Sequence, residues 1–265
     1  MAPDNHLRQA KSLVFTKDLN LIRLNESTWH HLANVLRIDT GDLIAVSDGD
    51  NLYQIFQSLH NLKTALNRNQ RRKNEEAEFS AYFTPVTKPQ KTEKKERETG
   101  IGLSLCKNDK MEWALQKLTE VGVDHIWLIL AARSQVKHSD PKPNYPRLQK
   151  IIEEAASQAR RLRMPLLHEL LTPQAAYEEM SRLGRVAMAE PGGKTFAGDL
   201  SCVMIGPEGG WTPEELLIAD GLELSSGILR VETAATVAGY LLSGIAESVS
   251  SESNRKKSTR QSGTG

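Results

Sequence analysis

The sequence predicts an α/β chain, with a small β-rich domain ahead of a larger domain in which strands and helices alternate. Three observations predict it. Short apolar runs of strand length crowd residues 12 to 60 around one helical stretch. From Gly100 to about Val249, runs such as GLSLC, HIWLILA and CVMIG alternate with segments of helical spacing, the pattern of a largely parallel sheet. Between the two, from Lys63 to Thr99, the chain turns polar and mixed in charge, which separates a first domain from a second. A length of 265 residues suits one large or two modest domains and is enough to bury a core.

Composition narrows the function classes. Lys and Arg total 34 against 33 Asp and Glu, so net charge points to no partner and only local clusters can. No stretch approaches the ~20 apolar residues of a membrane span, and MAPDNHLRQAKS lacks the apolar core of a secretory signal. A cytoplasmic protein is expected. Cys106 and Cys202 both lie in apolar strand-like runs and form no CxxC pair, so buried reduced thiols are expected and no metal site.

The first domain, set at residues 12–86, carries strand signals in SLVF, NLIRL, DLIAVSD and NLYQIFQSL. Its helical stretch is STWHHLANVLRI, with Ser27 as the cap and Trp29, Leu32, Ala33 and Leu36 toward the core; Gly41-Asp42 then turns into the next strand. His30 and His31 could be ligands or RNA contacts, but they do not share a helix face, so packing or surface roles are the plain reading. The island Phe79 to Phe83 completes a strand, and 87–99 is a linker. The cluster Arg68, Arg71, Arg72, Lys73 reads as a solvated charge run rather than a phosphate site.

The second domain is set at 100–249, and 250–265 is a disordered basic tail. Gly102 to Cys106 is its first strand. Asp109 caps the following helix with Glu112 three residues on, Met111, Ala114, Leu115, Leu118 and Val121 form the buried stripe, and Gly122 ends it. His125 to Ala131 is the next strand, with Arg133-Ser134 at its carboxyl end. In the helix from Pro146 to Arg163, one flank aligns Arg147, Glu154, Gln158 and Arg161, either a salt-bridge ladder or one wall of a polar site. Val186 to Ala189 and Cys202 to Ile205 are strands, and Glu190 to Gly193 is the loop after the first. Gly193-Lys194-Thr195 ends like a P-loop, but the required leading glycine is Met188, which disfavours a nucleoside triphosphatase. Thr212-Pro213-Glu214-Glu215 starts a helix, Ile228 to Val231 is the last strand, and Thr233 opens a final helix to about Ser248. That helix is rich in small residues, among them Ala234, Ala235, Ala238, Gly239 and Gly244, which permits close packing.

The densest functional signal is Gly206-Pro207-Glu208-Gly209-Gly210, directly after an apolar strand. Bare backbone at the carboxyl end of a parallel strand lets main-chain groups approach a ligand closely, although a turn that merely bends has the same composition.

Taken in order, KNDKMEWALQKLTEVGV, RSQ, EEAASQARRLRMP, IGPEGGWTPEE and ILRVETAAT resemble the ribosomal small-subunit methyltransferases that methylate N3 of a uridine in 16S ribosomal RNA, and HHLANVLRIDTGD resembles their N-terminal RNA-binding domain. The resemblance covers roughly 12–60 and 101–248. It implies a PUA-like, barrel-like first domain, a SPOUT α/β domain with a C-terminal trefoil knot, S-adenosylmethionine as cofactor, an obligate homodimer, and the 30S subunit or its 16S RNA as partner. A knot runs against ordinary topology and is implied by the resemblance alone. The chain departs from the family in the polar insertion, in Ala159-Arg160 before Arg161, and in Ser225-Ser226 before Gly227.

On that resemblance, Glu190, Ile205, Gly206, Glu208, Gly209, Gly210, Ile228, Leu229, Arg230, Glu232, Thr233 and Ala234 are expected to bind the cofactor. Arg133 and Arg161 are expected to stabilise charge on the uracil oxygens or to hold a flanking phosphate, and Glu208 or Glu232 to accept the N3 proton. Lys110, Lys117 and Arg160 join His31 and Arg37 as RNA contacts. The alternatives are a related knotted methyltransferase acting on transfer RNA or a ribose oxygen, and a non-catalytic RNA-binding module. A conventional Rossmann methyltransferase would carry glycines after the domain's first strand, where Cys106-Lys107-Asn108-Asp109 has none.

Overall fold

The computed structural model describes residues 5–69, 79–92, 95–134, 142–195 and 198–244. The chain divides into two compact units, one of residues 1–94 with 156–164 and one of 95–155 with 165–265. The tail and Arg71, Arg72 and Lys73 lie outside the described residues.

The first unit is built from α1 (Asn5–Gln9), β1 (Ser12–Phe15), α2 (Glu26–His30), β2 (Leu43–Ser47), β3 (Leu52–Ser58), α3 (Leu62–Asn69), β4 (Phe83–Pro85) and β5 (Gln90–Lys91). β1 runs parallel to β2, β2 antiparallel to β3, and β3 antiparallel to both β4 and β5. Alternation sends Val14, Ile44, Val46 and Phe56 to one face, where they pack with Trp29, Leu32, Ile38, Phe79 and Phe83. The opposite face carries Leu13, Ala45, Tyr53 and Ile55 and is covered by Leu7 and Leu162. Segment 156–164 is tied down there by its polar groups as well: Ser157 Oγ donates to the Leu13 carbonyl at 2.6 Å, Ser47 Oγ to that of Leu162 at 2.6 Å, and the Met164 N–H to that of Gly49 at 2.8 Å.

Two expectations fail in this unit. NLIRL forms no strand, because Ile22 and Leu24 pack as single side chains under the aromatic cluster rather than joining the sheet. Asn25, not Ser27, caps α2: its Oδ1 accepts the Thr28 N–H at 2.8 Å, and the helix continues into a π-turn at His31–Val35.

The second unit holds β6 (Gly100–Ser104), α4 (Asn108–Val121), β7 (His125–Ile129), α5 (Tyr145–Gln158, its last turn belonging to the first unit), β8 (Leu166–Leu171), α6 (Pro173–Met180), β9 (Arg185–Thr195), β10 (Leu200–Ile205), β11 (Asp220–Glu223) and α7 over 231–244. All strand pairs are parallel, in the order β11-β9-β10-β6-β7-β8. The central strands β6 and β10 are buried along their whole length, which is why they read as unbroken apolar runs. The chain moves outward from β6 through β7 to β8, then returns on the other side through β9 to β10. The carboxyl ends of β6 and β10 therefore form the sheet's switch point, where α/β sheets bind ligands.

Several local readings are corrected here. Asp109 lies inside the first turn of α4 and the N-cap Lys107 makes no side-chain bond, while Gly122, at φ 90°, ends the helix by donating to the Leu118 and Thr119 carbonyls. Glu190–Gly193 is no loop after β9 but a bulge within it: the register jumps from Met188 opposite Gly221 to Lys194 opposite Leu222. Ile228–Val231 is not a strand, since 224–230 is irregular and Ile228 is 90% exposed. Thr212 starts only a short 3₁₀ turn at Glu215–Leu217. Gly239 packs closely on its own chain, where an added Cβ would stand 2.8 Å from Leu118.

Opposite the switch point, the amino edge of the sheet is closed by paired groups. Lys95 Nζ donates to Asp124 Oδ2 at 2.9 Å, and the same oxygen accepts the Thr99 N–H at 2.9 Å. His125 stands between His168 (3.0 Å) and Glu98 (3.2 Å), while Trp127 stacks on His168 with centroids 4.2 Å apart and donates Nε1–H to Glu179 at 2.9 Å.

Candidate functional site

The segments that end β6, β7 and β10 make the site. Ile205 closes β10 at 1% exposure, and Pro207 accepts the Gly210 N–H at 2.9 Å, a tight turn that puts Gly210 at φ 69°. Gly206 lies against Trp211, whose ring nitrogen would be 2.9 Å from an added Cβ and donates to the Ala189 carbonyl at 3.2 Å. Gly209 lies against Arg133, where a Cβ would stand 2.9 Å from the arginine Cβ. The loop is thus bare on purpose at both glycines: neighbouring side chains already occupy the space.

Charge is concentrated at the switch point. Lys110, in the first turn of α4, donates to Glu208 Oε1 at 2.8 Å. Burial pushes the Glu208 carboxyl up, but the bond and charge of Lys110, its own backbone N–H and the charge of Lys107 outweigh it and hold the group below the ordinary carboxylate value. Glu208 is therefore a fixed anion and a weak base. Cys106, at the end of β6, is pushed up to about 12 by burial first and then by the charges of Glu208 and Glu232, so it stays a protonated thiol. The same field reaches Lys110 from Glu232, which brings Glu232 into this cluster. Glu232 lies in the first turn of α7, and its Oε2 is buried without a hydrogen-bond partner among the described residues. A buried carboxylate oxygen of that kind fits a ligand hydroxyl or ammonium, and a Cβ added at Gly210 would meet nothing within 4 Å. These residues fit a cofactor with polar edges.

Arg133 uses Nη1 on the carbonyls of Gly209 (3.2 Å) and Trp211 (3.1 Å), so it holds the loop itself. Glu190 lies in the β9 bulge; Ile228, Leu229 and Arg230 lie in the irregular stretch before α7; Thr233 and Ala234 follow Glu232 in its first turn. The flank row of α5 keeps Arg147, Glu154 and Gln158 but not Arg161. Arg147 pairs with Glu112, Glu154 faces Lys150 at 3.8 Å, and Arg161 falls beyond the helix end at Gln158. Arg161 and Arg160 belong to the first unit, where Arg160, at φ 53°, donates to the Arg8 carbonyl at 3.3 Å. His31 is in the π-turn and Arg37 exposed at φ 51°. Lys117 pairs with Glu120 at 2.8 Å and sits 5.8 Å over the Trp113 ring. Sequence reasoning missed Trp211 and Glu215 as loop-holding residues. The Thr212-x-x-Glu215 spacing was the available signal.

A family model described as an RNA methyltransferase domain matches residues 93–243. The ribosomal RNA small subunit methyltransferase E of Bacillus subtilis is 32% identical over 240 residues, covering 82% of this chain and 86% of that protein. Among solved structures, a probable rRNA-methyltransferase from Porphyromonas gingivalis superposes at a TM-score of 0.72 with 21% identity, over 90% of this chain and 99% of that one. A ribosomal RNA small subunit methyltransferase E from Neisseria gonorrhoeae, bound to S-adenosyl methionine, gives 0.67 and 22%, over 86% and 94%. At those identities the two structures speak for the fold, which in this chain is α/β with one mixed and one parallel sheet.

Proposed function

The chain belongs to the RNA methyltransferase family, with the ribosomal RNA small subunit methyltransferases E, and from that premise we propose that it methylates N3 of a uridine in 16S ribosomal RNA, using S-adenosylmethionine. The observation that carries the reading is the buried, unpaired Oε2 of Glu232 in one field with the glycine loop's Glu208. We further propose the finer architecture the motifs imply: a PUA-like first domain, a trefoil knot in the second, a cytoplasmic homodimer, and the 30S subunit as partner. The exposed apolar groups Ile228 (90%) and Tyr240 (67%) support a second copy as the covering surface.

When bound, the cofactor supplies an electrophilic methyl group on a sulfonium. The main-chain groups of 205–210 and 228–230, with Glu190, Glu232, Thr233 and Ala234, hold it. Uracil N3–H is a weak acid between two carbonyls, and losing its proton places negative charge on them. Glu232, whose Oε2 no described side chain or backbone group pairs with, is the better proton acceptor; Glu208, held as an anion by Lys110, positions rather than accepts. Arg161 keeps its motif-based assignment to the RNA side, with Lys110, Lys117, Arg160, His31 and Arg37 as further contacts. Arg133 serves the loop. The test is methylation of 30S subunits from a strain lacking the protein, followed by mass mapping. A methyl group on uridine N3 of 16S RNA is expected; one on transfer RNA, on a ribose oxygen, or none would refute the reading.

A further inference from the structure

Glu215 stands in a three-residue 3₁₀ turn and is only 9% exposed, an unusual place for a carboxylate. Each of its oxygens accepts a backbone N–H from a different loop. Oε2 takes the Thr212 N–H at 2.8 Å while Thr212 Oγ1 takes the Glu215 N–H at 3.2 Å, the reciprocal pair of a capping box. Oε1 takes the Ala132 N–H at 2.9 Å, in the loop after β7. Capping a turn of three residues accounts for the first bond and not the second.

The next residue along works in the opposite sense. Arg133 donates to the carbonyls of Gly209 and Trp211, so the β7 loop grips the β10 loop through one carboxylate and one guanidinium. Trp211, 4% exposed, anchors the same loop to Ala189 and fills the space beside Gly206. The glycine loop is therefore fixed by side chains that pack directly on Gly206 and Gly209. A loop ordered in advance loses less entropy when it binds, and charge-assisted bonds to backbone groups are the strong ones.

We propose that Glu215 is a positioning residue for cofactor binding: with Arg133 it locks the loop after β10 onto the loop after β7, so that 206–211 presents one main-chain geometry. This rests on the reading of that loop as the S-adenosylmethionine site. Glu215→Gln keeps size and shape but turns one acceptor into an NH₂ donor facing a backbone N–H, which leaves that N–H unmet. In the full-length variant, amide hydrogen exchange at Ala132 or Thr212 should speed up by roughly tenfold or more, and the calorimetric Kd for S-adenosylmethionine should rise by roughly tenfold or more, the scale of one unmet buried donor. Turnover at saturating cofactor should stay within about threefold, since no reacting atom is touched. Faster exchange with an unchanged Kd makes Glu215 a structural tie only and overturns the proposal. A wild-type protein that takes no S-adenosylmethionine removes the function reading and this one together, whereas binding by wild type and equal binding by the variant removes this one alone. Should Glu215→Gln fail to fold, Arg133→Met, at an exposed side chain, decides in its place: the same loss of affinity supports the clamp, and unchanged affinity overturns it.

Discussion

The two edges of the six-stranded sheet are made of the same strands and treat polar groups in opposite ways. At the amino edge, Lys95, Asp124, Thr99, His125, His168, Glu98, Trp127 and Glu179 are joined into closed pairs and stacks, with Arg97 Nη2 the buried exception. At the carboxyl edge the charged groups serve loops instead: Lys110 fixes Glu208, while Arg133 and Glu215 fix backbone. Among the described residues, Glu232 Oε2, Ser104 Oγ and Ser134 Oγ are left buried and unpaired there. One edge is finished by the protein; the other has hydrogen-bonding capacity left over, and that capacity is where a ligand can add free energy.

If the division is real, mutations at the two edges should fail in different ways. The largest effect belongs to the amino edge. Trp127 is 2% exposed, stacks on His168 and binds Glu179, so Trp127→Ala should cost about 3–5 kcal/mol in denaturant unfolding. The folded fraction should still bind S-adenosylmethionine with wild-type affinity. A cost below about 1 kcal/mol would break the comparison, because the closed edge would then not be the stabilising one. At the carboxyl edge, Gly209→Val should lower cofactor affinity by roughly a hundredfold while the melt stays cooperative, since its Cβ would stand 2.9 Å from that of Arg133 and force the loop to move. Unchanged affinity by calorimetry would reduce the glycines to a turn.

The contrast between edges also sets what the sequence could disclose. Central strands such as CVMI and HIWLI are legible because both faces are buried and the run is unbroken. β8, LLHELL, is an edge strand with Leu166 at 56% exposure, and its mixed pattern raised no expectation. ILRV misleads for the converse reason: it is strand-like in composition, yet Ile228 spends its apolar surface outside any sheet. The glycine loop announced itself, because bare backbone is a local property. Its supports did not, since Glu215 reaches an amide 83 residues earlier and nothing local records that. Only the capping half of its work shows in Thr212-x-x-Glu215. The α5 flank row was a correct reading of helical geometry applied past Gln158, where the helix has stopped.

A third test separates the RNA side from the carboxyl edge. Arg161→Ala should leave S-adenosylmethionine affinity within a few fold and cut turnover on 30S subunits by roughly a hundredfold, the scale of one lost electrostatic donor. Affinity that fell in step with turnover would move Arg161 to the cofactor; turnover that barely changed would leave it a structural residue of the first unit.

The smallest effect sharpens the comparison by pH, because the edges should lose their electrostatics in different windows. Burial first, then the charge of His125, pushes His168 below its ordinary 6.5, against the opposing pull of Glu179; Trp127 and, through His125, Glu98 complete its surroundings. Its folded value is depressed, so its contribution is present above 6.5 and is lost as pH falls from there through the folded value. Glu208 is likewise depressed, with burial overcome by Lys110, so its contribution is present above 4.5 and is lost only below that. Acidification should therefore weaken the amino edge first and the carboxyl edge second. Thermal melts from pH 7.5 to 3.5 should show His168→Gln flattening the upper part of the curve and Lys110→Met the lower part, with cofactor binding following only the lower. A single shared window, or binding that tracks the His168 step, would mean that the two edges are coupled rather than divided in labour.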